Sequence, residues 1–197
     1  MLNILLSGIG GQGTVLAAKL LAQAAQSKGW QVRTAETIGM AQRGGSVVSH
    51  VRMGNKGEQV QAPLLSKGTA DLIVAFEPAE AARVLPFLAP GGTLVTASTA
   101  VQPVTAALSA KPYVAGQTLA GLKATLEGTD ANLVIVDDAD IMERVGNRKA
   151  LNVVLLACAL NQGCVPLGLD DLRDAIRVCV KPRFVDMNLQ AIQTAVG

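Results

Sequence analysis

The feature that most constrains the fold lies near the N-terminus, where an apolar strand-like segment, a glycine-rich turn and a helical segment follow one another directly. Residues 3–7 are mostly apolar, residues 8–13 read Gly-Ile-Gly-Gly-Gln-Gly, and residues 14–27 are rich in alanine and leucine. Such a strand–turn–helix unit begins a parallel sheet and directs backbone N–H groups at a helix N-terminus toward an anion. The sequence therefore predicts an α/β domain with an anion site at this turn.

Apolar runs and helical patterns alternate along the rest of the chain. The hydrophobic periodicity and turn residues predict further strands at residues 31–36, 46–53, 71–76, 92–97, 111–116 and 132–137. Further helices are predicted at residues 78–88, 118–126, 148–162, 170–180 and 184–195. The Gly54-Asn55-Lys56-Gly57 turn predicts that residues 46–53 form an antiparallel hairpin with residues 58–61.

This alternation indicates a Rossmann-like, three-layer αβα fold. Strands separated by helices form a mostly parallel sheet covered on both faces, here with a β-hairpin insertion and a helical C-terminus. The 197 residues, half of them hydrophobic, suffice for one good-sized core, and the sequence has no repeat or linker. We therefore expect residues 1–197 to form a single domain.

Composition excludes several classes of protein. A net charge of +2 and only 3% aromatic residues argue against nucleic-acid binding, which needs a basic surface and stacking side chains. No apolar run approaches the roughly 18 residues of a membrane span. The N-terminus has no basic region or cleavage site of a secretory signal, so a soluble, cytoplasmic protein is expected.

The chain has three cysteines, Cys158, Cys164 and Cys179, without Cys-x-x-Cys spacing. This argues against a disulfide framework, an iron–sulfur cluster or a zinc site. Asp137, Asp138 and Asp140 lie at the end of a predicted strand, where loop and cap roles are more common than metal binding. No metal site is predicted.

A dinucleotide-binding oxidoreductase is the first alternative that the glycine turn suggests. Gly8, Gly10 and Gly13 match the G-x-G-x-x-G fingerprint, and Glu36 could end the second strand as a ribose-binding acid. A hydride-transfer site also needs an acid–base group, but His50 lies in a strand pattern, where packing in the sheet is expected. Tyr113, the only tyrosine, is followed by Gln117 where a catalytic lysine would stand. Glu36 is as well suited to brace the loop around Arg43.

Two segments together resemble a known family. The Gly-x-Gly-Gly-Gln-Gly turn at residues 8–13 is followed by Glu-Thr-Ile-Gly-Met-Ala-Gln-Arg-Gly-Gly-Ser-Val-Val-Ser-His-Val-Arg at residues 36–52. The pair resembles the gamma-type subunits of 2-oxoacid:ferredoxin oxidoreductases, and within them the beta subunit of indolepyruvate oxidoreductases. Pyruvate-type chains usually carry an acid-Arg-Arg-Gly version of the second motif, so residues 39–46 favour the arylpyruvate branch over a pyruvate or other 2-oxoacid branch.

The resemblance implies an oxidative decarboxylation in which a 2-oxoacid, coenzyme A and oxidised ferredoxin give acyl-CoA, carbon dioxide and reduced ferredoxin. Thiamine diphosphate and iron–sulfur clusters perform the difficult steps. This sequence has no cysteine cluster and no obvious Gly-Asp-Gly…Asn motif for magnesium and thiamine diphosphate. The resemblance thus places thiamine diphosphate, magnesium and the iron–sulfur clusters on a large partner subunit, and implies that ferredoxin is a partner of the whole enzyme.

By the same resemblance, this chain helps to bind the phosphates of coenzyme A. The expected donors are the backbone N–H groups of Gly10, Gly11, Gln12 and Gly13, with the Thr14 hydroxyl at the helix start. Gln42 and Arg43 precede a flexible Gly-Gly pair, and Arg43 is the expected charged contact.

Arg148 and Asn152 form a second predicted pair, since they are spaced for one helix face beside the ligand crevice of an open sheet. Both residues also suit an ordinary helix start, where a cation or amide is exposed to solvent.

Three hypotheses remain: a coenzyme A-contacting subunit that is inactive alone, a free-standing NAD(P) oxidoreductase, and a purely structural subunit whose glycine turn packs against its partner.

Overall fold

The computed structural model describes residues 1–39, 44–101 and 113–197. Within them, six strands form one sheet in the order β2-β3-β1-β4-β5-β6. The strands are β1 (Leu2–Ile9), β2 (Gln31–Ile38), β3 (Ser46–Gly54), β4 (Ala70–Ala75), β5 (Leu88–Ala97) and β6 (Asn132–Val136). Strands β1, β4, β5 and β6 are parallel neighbours, whereas β3 is antiparallel to both β1 and β2. The predicted, mostly parallel α/β sheet is confirmed.

The helices are α1 (Thr14–Ser27), α2 (Pro78–Val84), α3 (Ala115–Leu126), α4 (Asp138–Val145), α5 (Leu151–Asn161), α6 (Leu169–Cys179) and α7 (Val185–Val196). Short 3-10 turns lie at Leu85–Phe87, Arg148–Ala150 and Pro182–Phe184. The predicted helix at 78–88 becomes a 3-10 turn at Leu85 because Pro86 has no N–H for an α-helical bond. In the described part of the chain, no helix has the length and apolarity needed to cross a bilayer.

Successive side chains of the central strands point to opposite faces of the sheet, and each face has its own apolar core. Ile4 and Leu6 point into the core beneath α1 and α5, whereas Leu5 points into the core beneath α2 and α3. Helix α5 is buried almost throughout, because its apolar residues surround the whole helix and contact both the sheet and the outer helices. The sheet is therefore covered on both faces, as the sequence predicts.

The predicted hairpin between residues 46–53 and 58–61 is wrong. Strand β3 pairs with β2 and β1 instead, and residues 58–61 form no strand. Side chains of β2 form hydrogen bonds with the backbone of Val60, which a hairpin would have paired with β3. The Val60 N–H donates to Gln31 Oε1, and the Val60 carbonyl accepts from Arg33 Nε at 2.9 Å.

Two further predictions need correction. The predicted strand at 111–116 partly lies outside the described residues, and Ala115 and Gly116 already belong to α3, which begins after the extended Val114. Helix α4 was not predicted from the sequence. Its short, acid-rich first turn reads as loop, yet the Asp137 side chain caps it by accepting from the Asp140 N–H at 3.4 Å.

Candidate functional site

A cleft of about 490 Å³ opens at the carboxyl edge of the parallel strands, between the turn after β1 and the segment after β5. Helix α1 lies on one face of the sheet and α2 on the other, so the cleft lies near a topological switch point, where open sheets bind ligands. Its lining residues come from five separate segments. They are Gly11, Gln12, Gly13, Leu16, Phe76, Thr99, Ala100, Val101, Asp138, Met142, Arg148, Lys149, Leu151 and Asn152.

Gly13 and Asn152 lock the start of α1 against the start of α5. Gly13 has a left-handed backbone with φ +86°, and its carbonyl accepts a hydrogen bond from Asn152 Nδ2 at 3.3 Å. A Cβ atom on Gly13 would lie only 2.7 Å from that nitrogen. Asn152 is 3% exposed, and its Oδ1 accepts from the Val153 N–H at 3.0 Å. Asn152 thus lines the cleft as predicted, but as a buried clamp.

Gln12 shapes the glycine turn through both ends of its side chain. Its Oε1 accepts from the Ile9 N–H at 2.7 Å, and its Nε2 donates to the Phe76 carbonyl at 3.3 Å. Its own N–H donates to the Ile9 carbonyl at 3.0 Å. The side chain therefore ties the turn to the end of β4.

These contacts narrow the predicted set of anion donors. The Gly10 N–H donates to the Gly45 carbonyl at 2.9 Å and the Gln12 N–H is also occupied, so neither is available to a ligand in this conformation. Within the described residues, the N–H groups of Gly11 and Gly13 have no hydrogen-bond partner. These two glycines remain the turn's candidates for contact with an anion.

The first turn of α1 adds further free donors. Within residues 1–39, 44–101 and 113–197 no side chain caps this helix, and its first turn carries no acid, so the N–H groups there keep their partial positive charge. Gly13 and Leu16 place that end of the helix in the cleft wall. Thr14 is buried, and its methyl carbon lies 3.1 Å from the position of a Cβ on Gly8. Its side chain does not line the cleft, so the hydroxyl contact expected from the sequence is not favoured.

Asp138 holds the opposite wall of the cleft together, although its place in the sequence predicted a cap or loop role. This carboxylate is 2% exposed. It accepts from the Ser98 N–H at 2.9 Å, the Ser98 hydroxyl at 3.2 Å, the Thr99 N–H at 2.9 Å and the Thr99 hydroxyl. Because its oxygens are used to hold the segment after β5, Asp138 has a structural role and is not free to act as a base.

Two adjacent cations lie at the mouth of the cleft. Arg148 and Lys149 belong to the 3-10 turn before α5, which Asn147 caps by accepting from the Lys149 N–H at 3.0 Å. Both are exposed, and neither forms a salt bridge within the described residues. Arg148 was predicted. Lys149 was missed, although two consecutive cations before an apolar helix were a readable signal.

Gln42 and Arg43 lie outside the described residues, so their contacts with a ligand remain a prediction. The described residues on either side are anchored beside the glycine turn. The Gly39 N–H donates to the Ser46 carbonyl at 2.8 Å, and the Gly45 carbonyl accepts from Gly10. The segment of Arg43 therefore begins and ends at this edge of the sheet.

The strand order disfavours the dinucleotide alternative. Strand β3 lies between β1 and β2, so Glu36 is two strand spacings, about 9–10 Å, from the strand that carries the glycine turn. Glu36 instead lines a separate groove with Lys19. A ribose held at the turn would have no acid beside it from this strand.

His50 and Tyr113 also lie away from the cleft. His50 Nδ1 accepts from the Leu65 N–H at 3.2 Å, the ring packs edge-on against Phe87, and burial lowers the His50 pKa below 6.5. The Tyr113 hydroxyl contacts Glu77, and burial raises the pKa of both groups. The expectation that His50 packs and bonds within the fold is confirmed.

The cleft thus combines an apolar floor with a positive end. Leu16, Phe76, Met142 and Leu151 supply apolar surface, while the helix N-terminus, Arg148 and Lys149 supply positive charge. Among the described lining residues, Asp138 is the one acid, and its oxygens are occupied. The arrangement suits binding of an elongated anion with an apolar part.

Comparison with known proteins gives the family. The profile of the family described as pyruvate ferredoxin/flavodoxin oxidoreductase matches residues 3–197. The chain is 36% identical over 192 residues to indolepyruvate oxidoreductase subunit IorB of Archaeoglobus fulgidus, and the match covers 98% of this chain and 92% of the relative. The resemblance to indolepyruvate oxidoreductase subunits, which the two motifs indicated, is therefore confirmed across almost the whole sequence.

Solved structures give the same fold. The gamma subunit of a keto/oxoacid ferredoxin oxidoreductase from Geobacter sulfurreducens superposes with a TM-score of 0.69 at 22% identity, covering 100% of this chain and 96% of that one. A 2-oxoglutarate:ferredoxin oxidoreductase from Magnetococcus marinus, solved with 2-oxoglutarate, coenzyme A and succinyl-CoA, superposes with a TM-score of 0.71 at 18% identity, covering 98% of this chain and 30% of that one. The chain belongs to the pyruvate ferredoxin/flavodoxin oxidoreductase family and is a subunit of a 2-oxoacid:ferredoxin oxidoreductase.

Proposed function

We propose that this subunit binds the phosphate-bearing part of coenzyme A in the cleft between the glycine turn and the Arg148–Lys149 pair. The observation that carries the proposal is the convergence of a helix N-terminus and two exposed cations, neither capped nor paired by a side chain of the described residues, on one apolar-floored cleft. Phosphates favour such a helix end and such cations, and the pantetheine chain favours the apolar floor. The coenzyme A in the 2-oxoglutarate enzyme from Magnetococcus marinus supports the choice of ligand.

The donors proposed for the phosphates are the N–H groups of Gly11 and Gly13 together with the side chains of Arg148 and Lys149. Asn152 acts indirectly, since it holds the Gly13 carbonyl. Arg43 and Gln42 are proposed as further contacts, because their segment is anchored at both ends beside the turn. Thr14 is not included, since its side chain is buried away from the cleft.

The proposed reaction of the whole enzyme is oxidative decarboxylation of an arylpyruvate, with indolepyruvate favoured by the names of the IorB relatives. Coenzyme A and oxidised ferredoxin are consumed, and acyl-CoA, carbon dioxide and reduced ferredoxin are formed. A pyruvate or other 2-oxoacid substrate is the alternative, since a ketoisovalerate oxidoreductase subunit is also similar at 26% identity. We assign thiamine diphosphate, magnesium and the iron–sulfur clusters to the large subunit, and expect no activity from this chain alone.

The large subunit is proposed to cover the same edge of the sheet. The thiol of a coenzyme A held in the cleft must reach a reaction centre on the partner, so the partner has to approach the cleft. Exposed apolar side chains at this edge support that position: Val15 is 51% exposed, Ile38 68% and Val101 47%. The three cysteines are free, which supports the cytoplasmic location proposed for the complex.

The main test replaces both Arg148 and Lys149 by alanine in the co-expressed complex. Loss of two phosphate contacts should raise the KM for coenzyme A about tenfold or more, with the 2-oxoacid KM and the kcat at saturating coenzyme A unchanged. The matched control is Arg144→Ala, which removes an exposed cation that pairs with Asp140 at 3.1 Å and does not line the cleft. An unchanged coenzyme A KM in the double variant would favour a purely structural subunit.

Arg43→Ala provides a second test of the same proposal. We expect a raised KM for coenzyme A in a complex that still assembles, because a charged phosphate contact is lost. Nicotinamide binding by the isolated chain, measured by calorimetry with NAD and NADP, would instead revive the dinucleotide alternative.

A further inference from the structure

A buried carboxylate lies under the glycine turn, on the face of the sheet opposite the cleft. Glu80, on α2, is 3% exposed. One of its oxygens, Oε2, accepts from the Ser7 hydroxyl at 3.0 Å and from the Ser46 hydroxyl at 2.5 Å. The other, Oε1, lies 3.1 Å from a guanidinium nitrogen of Arg83. Burial of a carboxylate costs free energy unless such partners form hydrogen bonds or ion pairs with it, and here three side chains do so.

The two hydroxyls belong to serines at different places in the sheet, one inside a strand and one at the end of a strand. Ser7 lies inside β1 and is paired on both sides, with Val48 of β3 and Ala75 of β4. Ser46 is the first residue of β3 and pairs with Ile9 at the very end of the β1 ladder. The Ser46 carbonyl also accepts from the Gly39 N–H at 2.8 Å, so Ser46 lies at the end of two ladders. Removing a side-chain bond therefore leaves Ser7 fixed inside two ladders, whereas Ser46, at the end of its ladders, has more freedom to shift.

Ser46 also adjoins a direct contact with the glycine turn. Gly45, the preceding residue, accepts through its carbonyl from the Gly10 N–H at 2.9 Å. A displaced Ser46 would shift the Gly45 carbonyl and with it the start of the turn. The chain of contacts runs from Glu80 through Ser46 and Gly45 to Gly10, which is next to Gly11 in the cleft wall.

We propose that Glu80 is a positioning residue for coenzyme A binding, acting through the Ser46 hydroxyl and the Gly45 carbonyl to hold the glycine turn in its anion-binding shape. The proposal rests on the proposed coenzyme A site. Glu80 does not line the cleft, so its effect passes through the turn and not through contact with the ligand.

The experiment compares Ser46→Ala with Ser7→Ala in the co-expressed complex. The two changes remove the same kind of bond to the same carboxylate oxygen, and differ in which segment is released. Ser46→Ala should raise the KM and the Kd for coenzyme A about threefold to tenfold, the effect expected from one hydrogen bond, with kcat unchanged. Ser46→Thr, which keeps the hydroxyl, should restore the wild-type KM. Ser7→Ala should lower the thermal midpoint without changing the KM.

Glu80→Gln, which keeps the shape of the side chain, provides a second variant. It should raise the coenzyme A KM in the same direction as Ser46→Ala, and the two changes combined should raise it by less than the product of the single effects, since they break one shared contact. Independent effects would show that Glu80 does not act through Ser46.

Two results would overturn the inference. Equal KM changes in Ser46→Ala and Ser7→Ala would show that the carboxylate only supports the scaffold, and no KM change in Ser46→Ala would remove the link to the turn. If the Arg148/Lys149 double variant raises the coenzyme A KM while Ser46→Ala does not, the proposed function stands and the role of Glu80 fails. If neither responds, the coenzyme A site itself fails.

Discussion

The two walls of the cleft are built in different ways. On one side, neighbouring residues of the glycine turn and α1 form the wall, and glycine backbone conformations shape it. On the other, the Asp138 carboxylate joins the Ser98–Thr99 segment to the start of α4, across about forty residues of sequence. The first wall depends on backbone geometry that only glycine adopts easily, and the second on one buried side chain. We therefore expect the first wall to be sensitive to any side chain added at a glycine, and the second to be sensitive to loss of the Asp138 carboxylate.

The largest expected effect tests the backbone wall. Gly13→Ala places a Cβ in a left-handed residue with φ +86° and only 2.7 Å from Asn152 Nδ2, so we expect it to lower the free energy of unfolding by about 3 kcal/mol or more. Gly11→Ala is the matched control. Gly11 also has a positive φ, +101°, but a Cβ there meets nothing within 4 Å, so a loss of about 1–2 kcal/mol is expected.

Urea denaturation gives the free energy of unfolding of both glycine variants. Because both variants share the backbone strain, the difference between their losses measures the contact of the new Cβ with Asn152. Equal losses would mean that the Asn152 side chain moves aside freely and does not clamp the turn.

A smaller effect tests the side-chain wall. Asp138→Ala leaves the N–H groups of Ser98 and Thr99 without their acceptor, and should lower the free energy of unfolding by about 2–3 kcal/mol and raise the KM for coenzyme A. Asp137→Ala removes an exposed cap with one long bond of 3.4 Å, and should cost about 1 kcal/mol or less without changing the KM. Unfolding curves and coenzyme A kinetics for both variants check this, and a larger effect at Asp137 would contradict it.

The smallest expected effect is a change in the pH dependence of stability, and it involves His50, which lies outside both walls. Burial lowers the pKa of His50 in the folded state below 6.5, so the unfolded chain binds a proton first as the pH falls. This contribution to stability is present above pH 6.5 and is lost as the pH drops toward the folded pKa, with a slope of at most about 1.4 kcal/mol per pH unit.

His50→Asn, which keeps an acceptor for the Leu65 N–H, should flatten the fall in stability between pH 6.5 and 5.5 relative to wild type. Comparing the two proteins cancels the opposite contribution of Glu77, whose pKa burial raises. The coenzyme A KM at pH 7.5 should be the same in both proteins, because His50 contacts neither wall. Identical pH slopes for the two proteins would contradict the prediction.

The contrast between the walls also explains what the sequence could predict. Helix α1 was predicted to its observed bounds, Thr14–Ser27, because its signal lies in contiguous residues. The anion site at the glycine turn rests on an equally local signal and stays a prediction. Of the predicted site residues, Gly11, Gln12, Gly13, Arg148 and Asn152 line the cleft. These residues are marked by local spacing or by their place at a helix start.

Other features depend on contacts between distant residues. Asp138 accepts hydrogen bonds from the segment around Ser98, forty positions earlier. No local sequence pattern around Asp138 or Ser98 predicts this contact. The hairpin prediction failed for a similar reason, because Gln31 and Arg33 satisfy the backbone of Val60 from another strand. The buried state of Asn152 likewise follows from its contact with Gly13, which is 139 positions away.

The position of β3 between β1 and β2 has a consequence for the order of synthesis and folding. In the described part of the chain, β2 pairs with β3 alone, and β1 pairs with β3 and β4, so neither of the first two strands has a partner until residue 46 has been made. A nascent chain that stops before β3 can form α1 but no ladder. The ribosome must therefore release roughly a quarter of the protein before any native strand pairing can protect the two N-terminal strands.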